Sequence, residues 1–177
     1  MRLNIPIVHK TALTICRIEP ENNLEMLIKG ALLSDLERYT IVGNWNFSPF
    51  GKQLRSKYKS HTKLNLLDPI YDAREVAKLR ESSEIYLHGH SVGGTNPSLV
   101  EMIFYDAKIL CFDISYNKHT AQSSALYFRN YNELSLLINK CLCKSFPTDK
   151  RLSLRKSYTR NVISKCYVDA YENCSNW

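Results

Sequence analysis

The strongest constraint on how this chain folds is its regular alternation of short apolar runs with amphipathic stretches. TALTICR (11–17) is rich in β-branched and apolar residues and predicts a buried strand. Glu19 and Pro20 then open a helix over about 20–33, in which Leu24, Leu27, Ile28, Ala31 and Leu32 keep helical spacing. YTIVGN (39–44) predicts a second strand ending at Gly43, with a helix near 49–59 behind it. KLNLLD (63–68) is the third strand, stopped by Pro69 and followed by a helix over 72–82. EIYLHG (84–89) is the fourth, and PSLVEMIFY (97–105) a helix with proline in its first turn. AKILCFD (107–113), the short ALYF (125–128) and the helix NELSLLINKCL (132–142) complete the series. Strands alternating with helices across connections of a few residues call for parallel strands covered on both faces. The expected fold is therefore α/β, a Rossmann-like doubly wound parallel sheet of about six strands, ending in a long helix. The expected division is 1–145 for this domain and 146–177 for the C-terminal helix. KSFPTD (144–149) reads as a linker, and Leu152, Tyr158, Val162, Cys166 and Tyr167 fall near one face of the last helix.

A chain of 177 residues with 44% hydrophobic and 23% charged residues fits one soluble globular domain. No apolar stretch approaches the roughly 20 residues of a membrane span. MRLNIPIVHK is too short and polar for a secretory signal, so a cytoplasmic location is expected. Six cysteines form no CxxC pair, and several occupy positions where core residues are expected; reduced packing thiols are the reading, not a zinc site. The net charge is +7, and residues 144–165 carry seven Lys or Arg against one acid. That surplus reads first as the solvated face of a final helix, with an anionic membrane surface or nucleic acid as conceivable partners.

In open α/β sheets, ligands bind beyond the carboxyl ends of the strands, where strand order reverses. The residues to inspect are therefore Arg17, Gly43 and Asn44, Asp68–Asp72, His88–Ser98 and Asp113–Asn117. HGHSVGGTNPSLVE (88–101) is the most telling. Its GGTNPS leads into a helix, so successive backbone N–H groups can converge on one spot, a setting suited to an anion and especially phosphate. Gly93 and Gly94 remove side chains that would block approach, while Thr95, Asn96 and Ser98 can cap the helix or donate to a ligand. The spacing fits neither a dinucleotide fingerprint nor a P-loop. Glu101, one turn into the helix, could accept from a ribose diol or be a solvated helix residue, and Arg17 could neutralise a diphosphate or form a surface ion pair. His88 and His90 lack nearby acidic or thiol partners and make a poor metal site; one of the pair is expected to pack on the sheet and the other to be exposed.

RIEPENN, IVGNW, LLDPIYD, HGHSVGGTNPSLVE, CFDISYN and ALYF together resemble the C-terminal half of bacterial rhamnosyltransferases of glycosyltransferase family four, which have the GT-B fold of two facing Rossmann-like domains. The resemblance runs over about 11–140, with GGTNPSLVE its most specific part. It implies a domain that grips a dTDP- or UDP-linked sugar donor: Gly93, Gly94, Thr95 and Asn96 on the diphosphate, Glu101 on the ribose, and Gly43, Ile70 and Tyr71 around the nucleoside. Arg17 and Glu101 would serve catalysis, and His88 and His90 are carried as sugar contacts. The implied reaction is metal-independent and retaining, needs no cofactor, and transfers sugar to a polysaccharide or lipid-linked acceptor. Three departures stand out. Asn22 replaces a Lys common in the family, Gly93 replaces the first Glu of an E-x7-E pair, and EMIFYDAK replaces a small-residue stretch. A two-domain enzyme needs roughly twice this length, so a fragment or split product partnered by an N-terminal domain, active only weakly alone, is expected. The final helix would pack toward that domain. Peripheral association with the inner face of the cell membrane would suit a lipid-linked acceptor, whereas nucleic acid is not a partner on this reading. Two other readings stay open: a nucleotide-sugar epimerase half-domain, and a binding module using its basic C-terminal helix.

Overall fold

The structure, a computed structural model, describes residues 10–143 and 149–174. Six strands form one sheet: β1 (Thr11–Ile15), β2 (Arg38–Val42), β3 (Leu64–Leu67), β4 (Ile85–His88), β5 (Lys108–Phe112) and β6 (Ala125–Phe128). All neighbouring pairs are parallel, in the order β3-β2-β1-β4-β5-β6. The α/β, Rossmann-like class expected from the sequence is the one observed. Strand order reverses between β1 and β4, so the loops after these two strands diverge and leave a crevice at the carboxyl edge.

Side-chain alternation along the strands makes two cores. Ala12, Ile85, Leu87 and Leu110 face one side, beneath Leu24, Leu27 and Ile28 of α1 (Leu24–Leu32), Leu54 of α2 (Pro49–Tyr58), and Leu134 and Ile138 of α6 (Tyr131–Cys143). Leu13, Tyr86, Ile109 and Cys111 face the other, beneath Leu99, Met102 and Ile103 of α4 (Pro97–Ile103) and Ala121 of α5 (Ser115–Ala121). Runs that bury both faces are what a parallel central strand needs, and this is why β1, β4 and β5 read as near-continuous apolar sequence. The remaining helix on the sheet, α3 (Ala73–Glu81), has no fully buried residue; Asp72 caps it by accepting from the N–H groups of Arg74 and Glu75.

Three features differ from the sequence expectation. The helix expected over 20–33 is a 3₁₀ turn (Pro20–Asn22) followed by α1, with Asn23 in the left-handed region at φ 49° between them. Helix α5 was not expected, because its buried face is Asn117, Thr120 and Ala121 and so carries no apolar period. The single long final helix is interrupted into α7 (Asp149–Ser157) and α8 (Arg160–Cys174). Its expected face is also revised. Leu152, Val162, Cys166 and Tyr167 are exposed, whereas Arg151 and Leu154 are buried among the described residues of α7 and Tyr158 packs partly against the second core. Among the thiols, Cys111 and Cys141 are buried, whereas Cys143 and Cys166 are exposed rather than core residues. No helix among the described residues is long and apolar enough to cross a membrane.

Candidate functional site

A cavity of about 360 Å³ opens at the carboxyl edge, where β1 and β4 part. Ile15, Cys16 and Arg17 follow β1 into it, Val42, Gly43 and Asn44 follow β2, and Pro69, Ile70 and Tyr71 follow β3; Ser98, in the first turn of α4, closes the fourth side. Three of the four walls are thus strand ends, which is why the sequence could point to the site. Arg17 is exposed and forms no ion pair among the described residues. Tyr71 is 91% exposed, so its ring stands free at the rim. Gly43 is buried against the β1 loop, where a Cβ would lie 2.4 Å from the Cys16 carbonyl oxygen. Burial pushes the Cys16 thiol up to about 12, so it lines the cavity as an uncharged group and not as a nucleophile.

The 91–96 loop lies beside this cavity and is anchored at one end. Ser91 N–H and Oγ both donate to the Glu21 carbonyl, at 2.9 and 2.8 Å. The N–H groups of Val92, Gly93, Gly94, Thr95 and Asn96 meet no acceptor among the described residues. Gly93 has φ +98°, which suits glycine, and Gly94 has nothing within 4 Å of where a Cβ would stand. Asn96 caps α4 by accepting from Ser98 N–H at 3.0 Å, and Pro97 follows in the first turn. Its side chain is therefore occupied by the helix, while its own N–H stays available.

Glu101 sits on an exposed face of α4, outside the cavity lining, with its carboxylate paired to Arg80 of α3. The Arg80 guanidinium is nearly buried and lies over the Tyr105 ring, 5.8 Å from its centroid. The two histidines differ in burial, with one packed on the sheet as expected but the other only partly buried and not exposed. His88 is buried and its Nε2 has no hydrogen-bond partner among the described residues. Burial, with His90 adding to it, brings its pKa down to about 3, so it stays neutral. His90 is partly buried and hydrogen-bonds through Nδ1 to Asn22 Oδ1 at 3.0 Å.

Sequence reasoning missed what holds these loops together. Asn22 is buried and donates from Nδ2 to the Arg17 carbonyl at 2.8 Å. Asn23 donates to the Gly89 carbonyl at 2.8 Å, and Asn117 of α5 donates to the carbonyls of His90 and Phe112, both at 2.9 Å. Asn22, through His90, and Asn23 fasten the β1 loop to the β4 loop across the switch point, and Asn117 ties the β4 loop to the end of β5. Among the described residues no cluster of three or more His, Cys, Asp or Glu could hold a metal ion.

No protein-family model and no curated protein matches the chain. Its architecture does match solved structures. A glycosyltransferase from Rickettsia africae superposes with a TM-score of 0.77 at 16% identity, over 96% of this chain and 48% of that one. Anabaena HepE, solved in complex with UDP-glucose, gives 0.78 at 11% identity, over 94% and 49%. Staphylococcus aureus TarM, solved with UDP among its ligands, gives 0.72 at 15% identity, over 91% and 35%. The fold is the Rossmann-like arrangement that these solved structures contain in part of their chains. At these identities the likeness is one of fold. The chain spans about half the length of the GT-B proteins it matches, or less.

Proposed function

We propose that this chain binds the nucleotide-sugar donor for a retaining, metal-independent GT-B glycosyltransferase, with dTDP-rhamnose as donor and a polysaccharide or lipid-linked glycan as acceptor. The observation that carries the reading is the pairing of the switch-point cavity, with unpaired Arg17 on one wall, with five free backbone N–H groups beside it. The neighbours solved with UDP or UDP-glucose add support for a nucleotide-sugar ligand. In this reading the base lies against Ile70 and the free ring of Tyr71, near Gly43. The diphosphate meets the N–H groups of Gly93, Gly94, Thr95 and Asn96. Glu101 uses the carboxylate oxygen that Arg80 leaves free to accept from the ribose. His88 is too enclosed to meet a sugar without movement of its surroundings, which leaves His90 as the accessible member of that pair.

When the bond between the sugar anomeric carbon and the diphosphate oxygen breaks, its electron pair stays on the diphosphate. Arg17 and the fixed N–H groups face that growing charge without having to reorganise, the largest contribution enzymes of this kind draw on. The test is calorimetry of the chain with UDP, dTDP and dTDP-rhamnose. Binding is expected, with Arg17→Ala weaker by about tenfold, the cost of one charged hydrogen bond. Gly94→Asp should abolish binding by setting a carboxylate against the diphosphate. Absence of binding to all three ligands at millimolar concentration would sink the reading, and tighter binding of a UDP-sugar would move the donor away from rhamnose.

A further inference from the structure

We propose that His90 meets the donor diphosphate as a cation formed when the nucleotide binds, with Asn22 fixing which of its nitrogens takes the proton. The proposal rests on the reading of the 92–96 loop as the diphosphate site and adds a residue and a pH dependence to it.

The orientation of the ring follows from two hydrogen bonds. Asn22 Nδ2 donates to the Arg17 carbonyl, so the amide cannot turn and its Oδ1 faces His90. An amide oxygen only accepts, so Nδ1 carries the hydrogen in the neutral ring. Nε2 is then the nitrogen that gains or loses a proton. It points at the free N–H loop, 3.6 Å from where a Gly93 Cβ would stand. An anion held by that loop therefore lies beside a nitrogen that can become a donor, and a charge-assisted bond to phosphate results.

The groups that face His90 set the direction of the change. Arg17 and Glu21 come from the β1 loop and His88 from β4, and α5 contributes the uncharged Asn117. In the free protein, burial holds the His90 pKa below the ordinary histidine value, and Arg17 acts the same way against Glu21 and the Val92 backbone. A bound diphosphate reverses the balance, because its charge favours the imidazolium. Binding thus takes up a proton. The added affinity is fully present below the free-state pKa and fades as pH rises through the raised pKa of the complex. His88, held neutral, does not share in it.

The test is calorimetry of the full chain with UDP-glucose and dTDP-rhamnose, whose diester diphosphates exchange no proton near neutrality. Titrations run from about pH 5.5 to about pH 8.5, in paired buffers of different ionisation heat. Wild type should take up protons on binding and bind about tenfold more tightly at the acid end, the shift expected of one pKa unit. His90→Gln should lose the acid-side gain, so that its affinity changes far less between the two ends of the pH range than that of wild type. If that variant does not fold, NMR titration of the wild-type imidazoles decides: saturation with UDP-glucose should raise the midpoint of one histidine. Binding without proton uptake, or uptake that persists in His90→Gln, overturns the role of His90 and leaves the donor site standing. No binding at any pH overturns both.

Discussion

Two glycines of the carboxyl edge have different reasons to be glycine. A Cβ on Gly43 would sit 2.4 Å from the Cys16 carbonyl oxygen and 2.5 Å from Ile18 Cδ1, and a backbone oxygen in a parallel pair of strands cannot retreat. The fold alone demands glycine there, whatever the cavity holds. Gly94 has open space around it and a backbone outside the left-handed region, so packing gives no reason for the missing side chain. A ligand that approaches the backbone does. Gly43→Ala should therefore cost about 2 kcal/mol or more, in the range of overpacked cores, while Gly94→Ala leaves stability within about 0.5 kcal/mol. Chemical denaturation of the two variants checks the contrast, and equal losses would remove the distinction. The sequence made both residues visible as glycines but could not separate their reasons, because the atoms that decide are Cys16 and Ile18, more than twenty positions away from Gly43. Asn22 was opaque for the same cause: its partner His90 lies 68 residues on.

Among the elements, α7 has the least obvious purpose until its arginines are followed. Arg151 donates to the Tyr105 carbonyl at 2.8 Å, and Arg155 to the Ile103 and Tyr105 carbonyls at 2.8 and 3.3 Å. These carbonyls lie at the C-terminus of α4, where helix oxygens lack internal partners and the helix dipole favours cations. Part of the basic surplus that the sequence suggested was a solvated face is thus turned inward, onto the helix that carries the 92–96 loop. The periodicity of α7 misleads because the residue buried beside Leu154 is an arginine, while Leu152 is 60% exposed. Polar burial also hid α5, which packs through Asn117 and Thr120, whereas α1 and α6, with leucines and isoleucines at helical spacing, were legible. Arg151→Ala should leave the Tyr105 carbonyl with only the longer bond from Arg155 and cost about 2 kcal/mol, or roughly 4–8 °C in melting temperature for a domain of this size. Arg151→Lys should recover only part of it, since one ammonium cannot match the fork. A melting temperature unchanged in Arg151→Ala would show that α7 does not brace α4.

For the molecule as a whole, strand and helix order was readable from periodicity, but strand neighbours were not, since an apolar run does not say which other run it pairs with. The site could be found without that knowledge because every strand of a parallel sheet ends on the same edge. That same geometry limits what the chain does. Arg17, Gly43, Ile70, Tyr71 and the 92–96 loop all belong to one edge of one sheet, so in the proposed function they would touch a nucleotide from one side and leave its sugar facing outward. Stabilising a leaving diphosphate in open solvent is worth little, because fixed donors gain their advantage where water is excluded. The 177-residue chain is therefore expected to hold a nucleotide sugar without consuming it. Incubated with dTDP-rhamnose or UDP-glucose, it should release nucleoside diphosphate no faster than buffer does, even at concentrations where calorimetry shows the donor bound. Release that scales with protein concentration and disappears in Arg17→Ala would mean that this one sheet edge already assembles enough of the reaction's environment to break the bond.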